Sequence, residues 1–302
     1  MSTGADSLKS IFFALAAGLV VALSKLLAAL FTGSGVMLAE ASHSLVDTVS
    51  QLLLLLGLRS AKRPPTDQYP LGYGKAVYFW SFVVALILYS MAGIYAIYEG
   101  VSRLNNPQEL TYPLVALVVL VFALVAEFTS LWGCRREVNK VRGRRSLLCW
   151  LRETRQSDLQ LVFGEDATGI VALFLALAAL IASLITGSPV YDAIGAIVIG
   201  VLLIFMAIMI GVEVKSLLIG QGVEPETRER LVSFLTAMKE VDHVDNLLTI
   251  QLGEDVLLAV KARMRPTLRS ADMIADIKRC KSALKAEFPQ ILWLFFEPVL
   301  RD

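Results

Sequence analysis

VMLAEASHSLVDTVSQLLLLLGL, from Val36 to Leu58, reads as a membrane-spanning helix. It is long enough to cross about 30 Å of hydrocarbon at about 1.5 Å per residue. It also carries His43 and Asp47, four residues apart. Residues i and i+4 share one helix face, so an imidazole and a carboxylate are stacked side by side at membrane depth. Ionisable groups there are costly and are functional by default, although a structural hydrogen bond between spans would also account for them. A second acidic pair, Glu165-Asp166, opens another apolar run. One nitrogen and two or three carboxylate oxygens drawn from two helices make a donor set for a divalent transition metal. Histidine and carboxylate also take up protons reversibly, so an ion and protons would compete for the same atoms.

Outward from that stretch, the rest of the chain has the same character. Of its 302 residues, 56% are hydrophobic and 18% are charged. Its mean hydropathy is +0.65. Soluble domains have about 45–50% apolar and about 25% charged residues, so the chain is expected to be an integral membrane protein. Apolar runs at 10–32, 36–58, 76–100, 112–134, 160–186 and 189–213 predict six spans. The connections after spans two and four are basic. The first holds Arg59, Lys62, Arg63 and Lys75; the second holds Arg135, Arg136, Lys140, Arg142, Arg144, Arg145, Arg152 and Arg155. The alternate connections are nearly free of Lys and Arg, apart from Arg103. Basic loops stay on the cytoplasmic side, which puts both termini in the cytoplasm. Residues 10–32 are too long for a signal-peptide core and lead straight into the next span, so they read as span one. No transit-peptide pattern is visible, which favours a bacterial inner membrane or a plasma membrane. The net charge of +1 gives no reason to expect a nucleic-acid partner.

After span six the composition changes. Gly220-Gln221-Gly222 is a linker, Pro225 suits the first turn of a helix over 225–239, and Val244 to Leu252 is strand-like. After a turn at Gly253-Glu254-Asp255, residues Val256, Leu258, Val260, Ala262 and Met264 alternate onto one face. Ser270 is placed to cap a helix over 270–287, and Ile291 to Glu297 forms a last strand. The expected architecture is a six-span transport domain, 1–219, and a small cytoplasmic α+β domain, 220–302, in the order α-β-β-α-β. Two helices cover one face of so small a sheet and leave the other weakly covered, so a homodimer is expected.

Other buried charges need partners. Lys25 lies in span one, Glu40 in span two, and Glu127 with Ser130 in span four. A Lys25–Glu40 or Lys25–Glu127 ion pair is one reading; a part in the ion or proton path is the other. Asp192 reads as a helix start. Glu165 and Asp166, adjacent, point about 100° apart, so they cannot face one partner equally. Either could merely favour a helix N-terminus. Cys134, Cys149 and Cys280 are too scattered for a metal knuckle, and a reducing cytoplasm disfavours a disulfide.

Taken together, Ala39-Glu40-Ala41-Ser42-His43-Ser44-Leu45-Val46-Asp47, Pro70-Leu71-Gly72-Tyr73-Gly74-Lys75 and a six-span core with an α+β tail ending Phe296-Glu297-Pro298 resemble the cation diffusion facilitator family, in particular the branch of zinc transporter nine. The resemblance implies homodimers that move zinc or related divalent ions out of the cytoplasm, usually against protons. It implies a site with two residues from span two, here His43 and Asp47, and two from span five. Asp166 falls at the span-five aspartate place, but the place four before it is Val162, so Glu165 or water would complete the site. Where the family often has an aspartate and two histidines in the loop after span two, this chain has Asp67, Tyr69 and Tyr73. The tail has only His243 in place of a histidine cluster. Pairing of the tail without metal is therefore expected.

A proton-coupled exporter of zinc is the favoured reading, with no permanent cofactor. Manganese, iron or cobalt are alternatives, since an imidazole argues against magnesium and calcium. A membrane metallo-hydrolase would need an activated water, a general base and a cleft, and no HExxH-like motif is present. A non-transporting metal sensor or scaffold is a further alternative, against which the intact His43, Asp47 and Asp166 set argues.

Overall fold

The computed structural model describes residues 3–299 apart from 108–109, 144–145, 148–149, 152–153 and 155–156. Cys149, Arg144, Arg145, Arg152 and Arg155 therefore lie outside the described residues. The chain separates into two compact units: Met1–Gly57 with Trp80–Arg144 and Asp158–Glu213, and Leu58–Phe79 with Arg145–Ser157 and Val214–Asp302.

The first unit is a helix bundle. Its helices are α1 (Thr3–Thr32), α2 (Gly35–Ala61), α3 (Ala76–Asn105), α4 (Pro113–Val141), α5 (Ser157–Thr186) and α6 (Val190–Ile219). Among the described residues, α2 to α6 are long and apolar enough to cross a membrane; the apolar stretch of α1, Gly18–Thr32, is shorter. The helices overrun the predicted spans by a turn or two, because intrahelical hydrogen bonding continues past the apolar stretch into water. Large apolar side chains such as Leu30, Leu114 and Ile185 point outward. Inward, the bundle is lined by small residues. Gly93 of α3 and Gly200 of α6 meet backbone to backbone: a Cβ on Gly93 would lie 2.7 Å from the Gly200 carbonyl oxygen. Such close crossings replace the missing hydrophobic drive between helices in lipid. This is a multi-pass membrane protein.

Within α3, residues Val84–Tyr89 form a π-helical turn. The buried positions Val77, Ser81, Ala85, Tyr89 and Gly93 step by four. Each such step overshoots an α-turn by about 40°. The wider π turn offsets part of that drift and keeps Tyr89 facing inward.

The second unit holds the sheet. It contains α7 (Pro225–Thr236), β1 (Val241–Leu252), β2 (Asp255–Met264), α8 (Ser270–Glu287) and β3 (Ile291–Val299). The strand order is β1-β2-β3, with β1/β2 antiparallel and β2/β3 parallel. Val256, Leu258, Val260, Ala262 and Met264 are all buried, as their alternation predicts. They pack with Leu231, Leu235, Cys280, Leu284 and Phe288 from the helix side. Leu248 and Phe295 stand exposed. Burial pushes the Cys280 thiol up to about 11, so it behaves as a small apolar side chain. Cys134 and Cys280 are both free. Ser270 is not the cap expected of it. It begins α8, Arg269 holds the cap position, and no side chain bonds there. His243 lies 4.0 Å from Asp245 at the surface.

The Pro70–Lys75 loop belongs to this unit and rests on the β1–β2 turn. A Cβ on Gly74 would come within 2.0 Å of the Leu252 carbonyl oxygen, so only glycine fits. The Gly253 amide donates to the Tyr78 hydroxyl at 3.0 Å, and Lys75 Nζ donates to the Leu218 carbonyl at 3.2 Å. The latter satisfies a carbonyl at the C-terminus of α6, where a cation is favoured. Tyr69 and Tyr73 pack ring on ring, centroids 4.7 Å apart.

Candidate metal centre

The helical repeat divides α2 into two working faces. His43, Asp47 and Ser50 fall on one; Glu40 and Ser44 fall on its neighbour. The second face settles the first buried charge. Lys25 of α1 donates to Glu40 Oε2 at 3.0 Å and to the Ser44 hydroxyl at 2.6 Å, with Lys25 and Glu40 both buried. Of the two ion pairs the sequence allowed, Lys25–Glu40 is the one formed. Glu40 Oε1 is buried with no hydrogen-bond partner. Glu127 of α4 packs its carboxylate beside Gly169, within electrostatic reach of Lys25, Asp47 and Asp166.

The first face carries the candidate ligands. His43 is 1% exposed, and its Nε2 lies 3.5 Å from Asp47 Oδ1 without a hydrogen-bond partner. The Tyr89 hydroxyl of α3 donates to the same Asp47 Oδ1 at 2.6 Å and also reaches Glu165. The Tyr89 ring meets the His43 ring edge-on, centroids 6.1 Å apart. Glu165 Oε1 accepts from the Ser50 hydroxyl at 2.7 Å. One residue on, Asp166 turns toward α4, where the Ser130 hydroxyl lies 3.1 Å from each carboxylate oxygen. Val162, one helical turn before Asp166, packs into the apolar core.

The structure thus brings His43, Asp47 and Glu165 together around Tyr89 and places Asp166 on Ser130. Among the described residues, no three of His, Cys, Asp and Glu are grouped so as to hold an ion as they stand. Tyr89 and Ser50 were not singled out in the sequence. Ser50 could have been found by continuing the His43–Asp47 face one turn further. Tyr89 offered only a polar tip inside an apolar span.

At the far end of α2, Asp192 does more than start α6. Its carboxylate accepts from the Ser34 hydroxyl and the Gly35 amide, both at 2.5 Å. It therefore caps α2 from another helix. Arg103 donates to the Gly33 carbonyl beside it and pairs with Glu99 at 2.8 Å.

Apolar helices around a buried imidazole and several carboxylates define a multi-pass membrane protein with ionisable groups inside its bundle. Residues 11–219 match the family model for the cation efflux transmembrane domain, and the chain belongs to the cation efflux family. The cation diffusion facilitator resemblance read from the motifs is borne out. The chain is 29% identical over 231 residues to the "Proton-coupled zinc antiporter SLC30A9, mitochondrial" of Xenopus laevis, covering 76% of this chain and 41% of that protein. It is 30% identical over 213 residues to "Metal tolerance protein C4" of Arabidopsis thaliana, covering 70% and 47%. It is 27% identical over 279 residues to "Cation-efflux pump FieF" of Cronobacter sakazakii, covering 91% and 88%. The chain thus spans less than half the length of the first two of these relatives.

Proposed function

We propose that the chain exports a divalent metal cation, zinc first, from the cytoplasm in exchange for protons. The observation that carries this is His43: a buried imidazole nitrogen with no hydrogen-bond partner, beside a carboxylate, inside an apolar helix. A buried polar atom left unpaired costs about 1–3 kcal/mol unless something uses it. A transported ion, or the proton that replaces it, would use it in turn. His43, Asp47 and Asp166 are the ligands, and Glu165 or water completes the site. Imidazole suits zinc, cobalt or ferrous iron, and less readily manganese, which remain the alternative cargo. Relatives named as a zinc antiporter and a cation-efflux pump support the same reading.

The transport domain is 1–219, and a cytoplasmic domain, 220–302, pairs two copies. The basic loops support cytoplasmic termini in a bacterial inner membrane or a plasma membrane. The test is metal flux into sealed vesicles containing the pure protein, with several divalent ions, with and without a pH gradient. Zinc flux that grows with an opposing proton gradient and disappears in His43→Ala and Asp47→Ala is expected. Near-normal flux at low metal in either variant would place the site elsewhere.

A further inference from the structure

We infer that Tyr89 is a positioning residue of the ion site: it presents Asp47 to the cation. This rests on the reading of His43 and Asp47 as ligands. Three independent observations converge on it.

The first is local geometry. α3 departs from α-helical winding in one place, Val84–Tyr89, and Tyr89 ends that turn. π turns are rare, and they occur frequently at functional sites, because one extra residue redirects the side chains around it. Here the redirected side chain is a tyrosine that is 0% exposed.

The second is what the hydroxyl touches. Asp47 Oδ1 accepts a hydrogen bond from the Tyr89 hydroxyl at 2.6 Å and faces His43 Nε2 at 3.5 Å. An ionised carboxylate has about four lone-pair sites, so it can keep the Tyr89 bond and still coordinate an ion. Hydrogen bonds from outside the ligand shell fix a carboxylate's rotamer and are worth about 10–100-fold in metal affinity when lost.

The third is reach. The same side chain stands within electrostatic reach of Glu165, and its ring lies edge-on to His43. One side chain of α3 therefore bonds a candidate ligand on α2 and stands near another on α5. With Val162 unable to coordinate, the site has few ligands, and the orientation of each counts for more.

The experiment uses the full chain in detergent, with Zn2+ and Co2+ as probes, and compares the parent with Tyr89→Phe, Asp47→Ala and Ser42→Ala. Asp47→Ala should abolish high-affinity binding. Tyr89→Phe keeps the ring and loses only the hydroxyl. Its affinity should fall by about tenfold or more, and the visible absorption of bound Co2+ should shift. Its thermal midpoint should stay at the parent value. Ser42→Ala, whose hydroxyl bonds the Leu38 carbonyl of its own helix, should leave the Co2+ band in place. Tyr89→Phe affinity within about twofold of the parent overturns the inference. So does weaker binding with an unshifted Co2+ band and a lowered midpoint, which marks general loosening of the bundle. If Asp47→Ala binds as the parent does, the reading of the ligands fails, and that failure is visible apart from anything Tyr89→Phe does.

Discussion

Two neighbouring acids on α5 show how much one residue of helical rotation decides. Glu165 is held through Oε1 by the Ser50 hydroxyl at 2.7 Å, a short bond. Asp166 accepts two longer contacts, both 3.1 Å, from one Ser130 hydroxyl. Of the two, Asp166 is held by the longer contacts, which an ion displaces at less cost. Asp166→Asn is therefore expected to lose at least about tenfold in zinc affinity, and Glu165→Gln less. Titration of the two variants with zinc against a competing chelator decides it; the reverse order would exchange the roles of the two acids. Lys25, by contrast, is occupied. Its Glu40 and Ser44 partners make it a buried pair whose disruption would leave an uncompensated charge in the bundle.

Among the elements, the Gly-Tyr-Gly-Lys loop is the one whose sequence is most tightly explained by its neighbours. Gly74 abuts the Leu252 carbonyl, Tyr78 bonds the Gly253 amide, and Lys75 caps α6. An alanine at 74 would have to displace the backbone of the β1–β2 turn. Gly74→Ala should destabilise the sheet-bearing unit by about 1–3 kcal/mol, the usual cost of overpacking. Hydrogen exchange at Leu252–Asp255 reads this directly, and unchanged protection there would show that the loop does not rest on the turn in solution. The same scale explains the Ser270 correction. Ser270 looks like a cap because it stands at the head of the predicted helix, but Arg269, with extended backbone, holds the cap position and Ser270 is already the first helical residue.

At the scale of the whole molecule, the small sheet leaves Leu248 and Phe295 exposed, and the tail offers one histidine as a metal ligand. Contiguous apolar surface on a domain of this size marks a partner surface. Residues 222–302 should form a dimer in chelator, measured by sedimentation equilibrium. A monomer, or pairing that needs added metal, would contradict this. Acid should loosen the same domain. Arg279 hydrogen-bonds Glu240 and holds its carboxyl below the usual range. A depressed carboxyl stabilises the fold above its unfolded value and loses that contribution as pH falls through the folded one. The effect lies below about pH 4.3, the ordinary glutamate value.

The sequence by itself determined the apolar spans, the α-β-β-α-β tail, the buried face of β2 and the stacking of His43 on Asp47. Each is set by a period along one chain segment, 3.6 or 2 residues, which can be read without knowing any neighbour. It also showed that Lys25, Glu40 and Glu127 needed partners, but not which. Only the tertiary structure chose Lys25–Glu40, put Asp192 on the N-terminus of α2, gave Glu165 to Ser50 and Asp166 to Ser130, and brought Tyr89 to Asp47. Those pairings depend on how helices distant in sequence are rotated against each other. That rotation comes from side-chain packing, small-residue crossings such as Gly93 against Gly200, and the π turn of α3, which leaves no periodic signature of its own.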